Sequence, residues 1–525
     1  MGGFRARSES ARSGSDRHDS GRSSSGNKQR TGRPRTAPDR SKGYQQRRPE
    51  ERQMKAKQHG SGDKVRDVVL HVLREVTTED AYGNLVLPRE IKAARLNKRD
   101  AAFATELTYG TLRASGLLDA VIAKAAGRPV DKIDSVVLDI LRLGAYQILR
   151  TRVEDHAAVD TSVKLAKANG AGQASGFVNG VLRTITRSTP KQWMERIAPD
   201  DSLASLAVRT AHPEWIAAVF ADALEQQEAG LAASELEQAL QADDQRPTIH
   251  LAARPGQISA EELALVTGGE EGRWSPYAVY LDEGSPGELE PIRDGMASVQ
   301  DEGSQLIALA MVRAPLERTD RGRWLDLCAG PGGKTAFIAS WAVGEEAKVD
   351  AVEVAEHRAK LVSSAVRDLP VAVHVGDGRK VAQIAGIDMP TGGFDRVLVD
   401  APCSGLGALR RRPEARWRKD PKDVPPLVAL QKELLRSALS VAAEGGVVVY
   451  STCSPHPAET SEVVRAVAAE TGATVLDVQE ILPELDNVGT GPFVQLWPHR
   501  HGTDAMFIAA LRPAPEAGAG SGAKA

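Results

Sequence analysis

The sequence predicts three folded parts in one chain: an all-α domain, a small α+β unit, and a C-terminal α/β domain built on a parallel, doubly wound sheet. Three observations carry this. Apolar residues recur at helical spacing from Asp63 to about Arg187, with few strand signals between them. Beyond Arg321 short apolar runs alternate with amphipathic stretches, the pattern of repeated βαβ units. Three of those runs end in a turn that carries a cysteine, where an open α/β sheet holds its ligands. The expected boundaries are 1–60 for a basic tail, 61–190 for the helical domain, 191–315 for the α+β unit, 316–513 for the α/β domain and 514–525 for an Ala/Gly tail.

Composition narrows the class. Hydrophobic residues make up 41% of the 525, enough for real cores, whereas 4% aromatic content argues against a surface rich in Trp and Tyr. The net charge of -3 conceals about ten net positive charges within residues 1–60. That segment has too few large apolar residues to fold alone. It reads equally as a solubilising tail or as an electrostatic arm for phosphates. Three cysteines without disulfide-like spacing point to a reducing compartment. No apolar run approaches the roughly 18 residues of a membrane span, and no apolar leader opens the chain, so a cytoplasmic location is expected.

In the helical domain, Val65, Val68, Val69, Val72 and Leu73 mark a first helix. Phe103, Leu107, Tyr109 and Leu112 mark another, and Ile133 to Leu143 has the clearest 3.6-residue period. Tyr109, Tyr146 and Phe177 are expected in the core, Arg113 and Arg183 toward phosphates. In the next part, Pro213 suits the first turn of a helix. Thr248–Leu251 and Tyr277–Leu281 read as strands, and a helix begins near Ser304. His212 and His250 lack partners at metal-ligand spacing and are expected to be structural or solvent-facing. The α/β strands are Trp324–Leu327, Lys348–Val354, Val371–Val375, Arg396–Val399, Val447–Tyr450 and Met506–Leu511, with helices at Leu427–Ala443 and Glu459–Ala469.

The chemistry sits at the strand ends. Cys328-Ala329-Gly330-Pro331-Gly332-Gly333-Lys334 is a glycine-rich turn that lets a ligand approach backbone. It is neither Gly-x-Gly-x-x-Gly nor a Walker A, so a dinucleotide or a nucleoside triphosphate is not its natural ligand. Glu353 ends the next strand, about 20 residues on, where an acid binds ribose hydroxyls, and Asp377 ends the third, placed to face an adenine amine. Either acid could instead cap a helix; successive strand ends favour a ligand. Asp400-Ala401-Pro402-Cys403-Ser404-Gly405 and Ser451-Thr452-Cys453-Ser454 complete the set. Arg410–Lys419, a basic loop with Trp417, suits phosphates and a stacked base, against the alternative of a solvated charge run over a packed tryptophan.

Together these residues resemble the S-adenosylmethionine site of class I methyltransferases, a Rossmann-like fold. With the two Cys-Ser motifs and Val299-Gln300-Asp301-Glu302-Gly303-Ser304-Gln305, the chain resembles RNA cytosine-5 methyltransferases of the Fmu/Sun/RsmB (NOL1/NOP2) family. Asp100–Arg113, Leu141–Gln147 and Gly176–Arg183 resemble the NusB-like RNA-binding domain, which directs the resemblance to RsmB-type small-subunit (16S) ribosomal RNA methyltransferases. The connecting unit then resembles an RRM-like fold, although it has no aromatic RNP-type motif. Ala252-Ala253 and Asp504-Ala505-Met506-Phe507 depart from the family's usual Val-Asn and Asp-Gly-Phe-Phe.

The resemblance implies S-adenosyl-L-methionine as cofactor, held by Cys328 to Lys334, Glu353, Asp377 and Asp400, with 16S rRNA as partner, no metal and a monomer. Carbon 5 of cytosine is a poor nucleophile until a thiolate adds at carbon 6. Position after a strand does not choose between the two thiols. The resemblance assigns the nucleophile to Cys453 and product release to Cys403, with Asp400 on the cytosine edge. A DNA cytosine-5 methyltransferase using Cys403, or a non-catalytic RNA-binding or antitermination factor, are the competing readings.

Overall fold

The computed structural model describes residues 60–515 apart from Glu283. Apart from their innermost residues, the expected basic arm and C-terminal tail lie outside the described residues. Seven helices build the first part: α1 (Lys64–Glu79), α2 (Gly83–Ala94), α3 (Lys98–Arg113), α4 (Ser115–Ala126), α5 (Ser135–Arg150), α6 (Asp155–Ala168) and α7 (Ser175–Ile185). Asp63, Asn97 and Asp134 accept the first free backbone N–H groups of α1, α3 and α5, which sets where those helices begin. The predicted apolar faces are buried: Val69, Val72, Leu107, Ile140, Leu141 and Leu143 share one core. Burial of each such side chain stabilises by about 1.5–3 kcal/mol. Tyr146 is buried and Tyr109 and Phe177 pack against the same core, as expected. Gly110 is required there, because a Cβ on it would stand 2.0 Å from Tyr146 Cζ.

Four more helices follow: α8 (Pro190–Ile197), α9 (Leu203–Arg209), α10 (Glu214–Gln227) and α11 (Leu231–Asp243). Pro213 is the N-cap of α10. Ile216, Phe220 and Leu240 pack with Leu406, Leu409 and Trp497, so these helices are seated on the C-terminal domain. The connecting unit is a β-α-β-β-α-β arrangement: β1 (Ile249–Ala253), α12 (Ala260–Thr267), β2 (Glu270–Glu271), β3 (Ala278–Leu281), a short helix at Glu290–Arg293, and β4 (Ala297–Val299). Its sheet is antiparallel with the order β2-β3-β1-β4. That connectivity matches the RRM-like expectation.

The C-terminal sheet contains β5 (Arg323–Asp326), β6 (Lys348–Glu353), β7 (Val371–Val375), β8 (Phe394–Asp400), β9 (Ala442–Thr452), β10 (Thr474–Leu476), β11 (Val494–Gln495) and β12 (Phe507–Arg512). The order is β10-β12-β9-β8-β5-β6-β7, with β11 paired to β12. Strands β5 to β9 are mutually parallel. The expected strand near Met506–Leu511 is present as β12, but it runs antiparallel to β9, and β10 runs antiparallel to β12, so the sheet is mixed rather than wholly parallel. Helices α13 (Glu302–Arg313) and α14 (Gly333–Gly344) share a core with one side of the sheet. Helix α16 (Val424–Val441) and helix α17 (Ser461–Thr471) share a core with the other, and α15 (Glu356–Ala365) packs on β7. Strand order reverses between β5 and β8, which opens a crevice at the carboxyl ends of the parallel strands. Among the described residues no helix is long and apolar enough to cross a membrane.

Candidate active site

The crevice gathers the cysteines. Val399 pairs with Tyr450 and Asp400 with Ser451 across parallel strands β8 and β9, so the two chains leave the sheet side by side. Cys403 Sγ and Cys453 Sγ end 3.4 Å apart, both partly exposed. Gly407 N donates to Cys453 O at 2.9 Å, and Ala505 N donates to Gly407 O at 2.9 Å. A Cβ at Gly407 would lie 1.9 Å from Ala505 O, so only glycine allows this approach.

The thiols are electrostatically unequal. The hydrogen bond shared with Cys403 holds the Cys453 thiol below its ordinary range; Lys334 acts in the same direction, while burial and Asp400 oppose it. The same hydrogen bond, together with burial, pushes Cys403 up. Cys328 is pushed well up by burial and by the carboxylates of Asp326, Asp400 and Glu353. Lys334 Nζ donates to Asp400 Oδ2 at 2.8 Å, and Ser451 Oγ donates to Asp400 Oδ1 at 2.9 Å. Burial pushes Asp326 up to about 6, despite a 2.7 Å hydrogen bond from Thr335 Oγ1.

Cys328 to Gly332 turn between β5 and α14 as predicted, and Lys334 lies in the first turn of that helix. Gly332 has φ +112°, and a Cβ on Gly330 would stand 2.1 Å from Glu353 Oε2. The turn therefore presents backbone, with the Glu353 carboxylate beside it at the end of β6. Glu353 Oε2 lies 3.5 Å from Arg358, which also bonds Gly330 O. Gln300, 8% exposed, has both amide atoms buried without a partner, and its side chain faces Gly333. Such orphaned polar atoms beside a bare glycine turn fit a polar ligand. Asp377 caps the turn after β7 and is gripped by Arg379, whose Nη2 lies 2.6 Å from Asp377 Oδ2. That is the capping role the sequence left open, and an adenine amine would have to compete with Arg379 for this carboxylate.

The basic loop corrects an expectation. Arg416 is fully buried and bonds Ala211 O, Asp243 and Asp244. Arg410 and Arg411 both pair with Asp301 and Asp504. Arg418 Nη2 donates to Val76 O and Ala81 O at the end of α1, and Trp417 packs on Gly116. Most of these cations are spent on carboxylates and carbonyls inside the protein, so the loop is an internal strut rather than a phosphate-binding surface. Arg113 also turns inward, its pKa lowered by burial, with Asp244 and Arg416 among the charges acting on it. His212 and His250 are both buried, on Asp243 and Asp301 respectively. Lys334 and Asp400 were expected at the site, though not as a pair, and Asp326 and Gln300 were visible only inside a strand end and a family stretch. Glu459, which bonds the residues after both thiols, had no sequence signal.

Comparisons with known proteins show the family. Residues 313–512 match the family model described as 16S rRNA methyltransferase RsmB/F, and residues 63–187 match the NusB family. Rv1407 of Mycobacterium tuberculosis (strain ATCC 25618 / H37Rv) is 54% identical over 454 residues, covering 86% of this chain and 96% of that protein. Ribosomal RNA small subunit methyltransferase B of Escherichia coli O6:K15:H31 is 32% identical over 413 residues, covering 77% of this chain and 89% of that protein. The crystal structure of PH0851 shares the fold at a TM-score of 0.68, with 22% identity over 86% of this chain and 98% of that one. The chain belongs to the RsmB/F family of 16S rRNA methyltransferases, with a NusB domain at its N-terminal side.

Proposed function

We propose that the protein methylates carbon 5 of a cytidine in small-subunit ribosomal RNA through a covalent adduct between Cys453 and the base. The observation that carries this is the 3.4 Å approach of Cys403 and Cys453 at the ends of adjacent parallel strands. Two sulfurs that close can both reach one pyrimidine ring, as stepwise addition and elimination require.

S-adenosyl-L-methionine supplies the electrophilic methyl group. The turn Cys328–Lys334, Gln300 and Glu353 are the residues that would hold it, with Asp377 available once Arg379 gives way. Cys453, biased toward thiolate by Cys403 and Lys334, attacks carbon 6 of the cytosine. Asp400, fixed by Lys334 and Ser451, receives the base's N3/N4 edge. Once carbon 5 is methylated its proton must leave. Cys403, freed from Cys453 by the new carbon–sulfur bond, gives up its own thiol proton to solvent, and its thiolate takes the carbon 5 proton as Cys453 leaves as thiolate. The target base must be unstacked to reach the crevice.

The test uses both thiols. Cys403→Ala should form the adduct and release it slowly, so a denaturant-resistant protein–RNA species accumulates with labelled 16S rRNA. Cys453→Ala should give neither adduct nor product. Trapping by Cys453→Ala but not by Cys403→Ala would reverse the roles. Absence of 5-methylcytidine in RNA treated with the unaltered enzyme would refute the proposal.

A further inference from the structure

We infer that Glu459 is a positioning residue that holds the two thiol loops in register, an inference that rests on the cytosine-5 reading above. Its side chain is fully buried. Oε1 accepts from Ser404 N at 2.7 Å and from Gln431 Nε2 at 3.2 Å. Oε2 accepts from Ser454 Oγ at 2.7 Å and from Ser404 Oγ. The two hydroxyls lie 3.1 Å apart. Gln431 Nε2 also donates to Pro402 O at 2.9 Å, and Tyr450 Oη donates to the backbone carbonyl of Glu459 at 2.8 Å.

One carboxyl group thus binds the residue after Cys403 and the residue after Cys453, and through Gln431 it reaches the residue before Cys403. Four donors converge on a group that only accepts, which is an arrangement a glutamine cannot reproduce. Chain segments beyond strand ends are ordinarily the mobile part of an α/β site. Here they are joined beneath the sulfurs by a buried, charge-assisted network, and such networks fix geometry more sharply than isolated bonds. The chemistry needs this, because addition and elimination are carried out by different sulfurs on the same ring. Glu459 touches neither the substrate nor a sulfur. Its charge also helps to hold Cys403 up, after the bond to Cys453 and burial.

The test is Glu459→Gln in the full-length protein. Adduct formation and release should both slow in single-turnover reactions, with kcat down on the order of 100-fold. Affinity for S-adenosylhomocysteine should hold. The pH limb of release should move to lower pH, since Cys403 loses a negative neighbour. Glu459→Asp keeps the charge but shortens the reach, so it should stay slow with the original pH limb. Adding Ser454→Ala to Glu459→Gln should cost nothing more, because both act through one network. Unchanged kcat, a fixed pH limb, or additive losses would each overturn the inference. Should Glu459→Gln melt early, Ser454→Ala alone carries the test: a loss of about tenfold in kcat at unchanged melting temperature is expected, and wild-type kcat overturns it. An unaltered enzyme that leaves no 5-methylcytidine in its RNA, scored before any variant, would instead overturn the cytosine-5 reading.

Discussion

Arg416→Met should destabilise the protein more than any surface change, and the structure sets the size. The guanidinium donates to Ala211 O and Asp244 Oδ1 at 3.0 Å each through Nη1. Through Nη2 it donates to Asp243 O at 3.0 Å and Asp243 Oδ2 at 2.8 Å. The side chains of Arg416 and Asp243 are both 0% exposed. Burial would push Asp243 up, but Arg416 and His212 hold it below the usual carboxylate range. Burial and the Arg416 charge hold His212 below its own ordinary value, so in the unaltered protein the imidazole is neutral at pH 7. Removing one partner of a buried pair costs about 3–5 kcal/mol, because the other charge remains buried. For the compact unit Gln58–Ala525 unfolding together, that lowers the melting temperature by about 3–5 °C. Arg416→Met with Asp243→Asn should recover part of the loss, since the fully buried charge is gone and only the partly exposed Asp244 is left without its cation. Scanning calorimetry at pH 7.5 reads both. A melting temperature for Arg416→Met within about 2 °C of the unaltered protein, or a double variant worse than the single one, would refute the reasoning.

Glu353→Ala should weaken S-adenosylhomocysteine binding by at least about 1.5 kcal/mol, roughly tenfold, if the carboxylate holds ribose hydroxyls; calorimetric titration checks it, and unchanged affinity rejects the role. Asp326 makes a pH prediction. Its folded pKa of about 6 lies above the ordinary 3.8, so its contribution to stability is full below pH 3.8 and is lost as pH rises through 6. Asp326→Asn should therefore gain melting temperature relative to the unaltered protein between pH 4.5 and 8, with a plateau above pH 6; a pH-independent difference would reject it.

Much of the site was legible because its signals are local. An apolar run followed by a small-residue turn marks a strand end, and three such ends carried Cys328, Cys403 and Cys453. The mean-field pattern does not contain strand direction, so β12 was expected but its antiparallel setting was not. Charge burial was not legible either. Arg410, Arg411 and Arg416 form a basic run in sequence, and their partners Asp301, Asp504, Asp243 and Asp244 are supplied from distant segments. Glu459 was hidden for the same reason. A lone acid after Pro457 has no periodicity, and its importance lies in Ser404 and Gln431, which only the fold brings to it.

The segment from Cys403 to Arg418 changes how the helical domain should be read. At one end Ser404 rests on Glu459 and Gly407 on Cys453 O. Arg410 and Arg411 then lock onto Asp301, ahead of α13, and Asp504, ahead of β12. Glu414 accepts from Gly83 N, the first residue of α2, at 3.1 Å. Arg416 enters the α11 end, and Arg418 takes Val76 O in the last turn of α1 and Ala81 O just beyond it. The NusB domain therefore touches the same short segment that carries one of the two thiols. A chain begun at Pro190 would strip Glu414 and Arg418 of these partners, so any loss of RNA affinity in it would mix two causes. Whether the helical domain contributes RNA affinity has to be measured in the intact protein, at exposed positions such as Arg183, whose nearest bond is to Asn179 on its own helix.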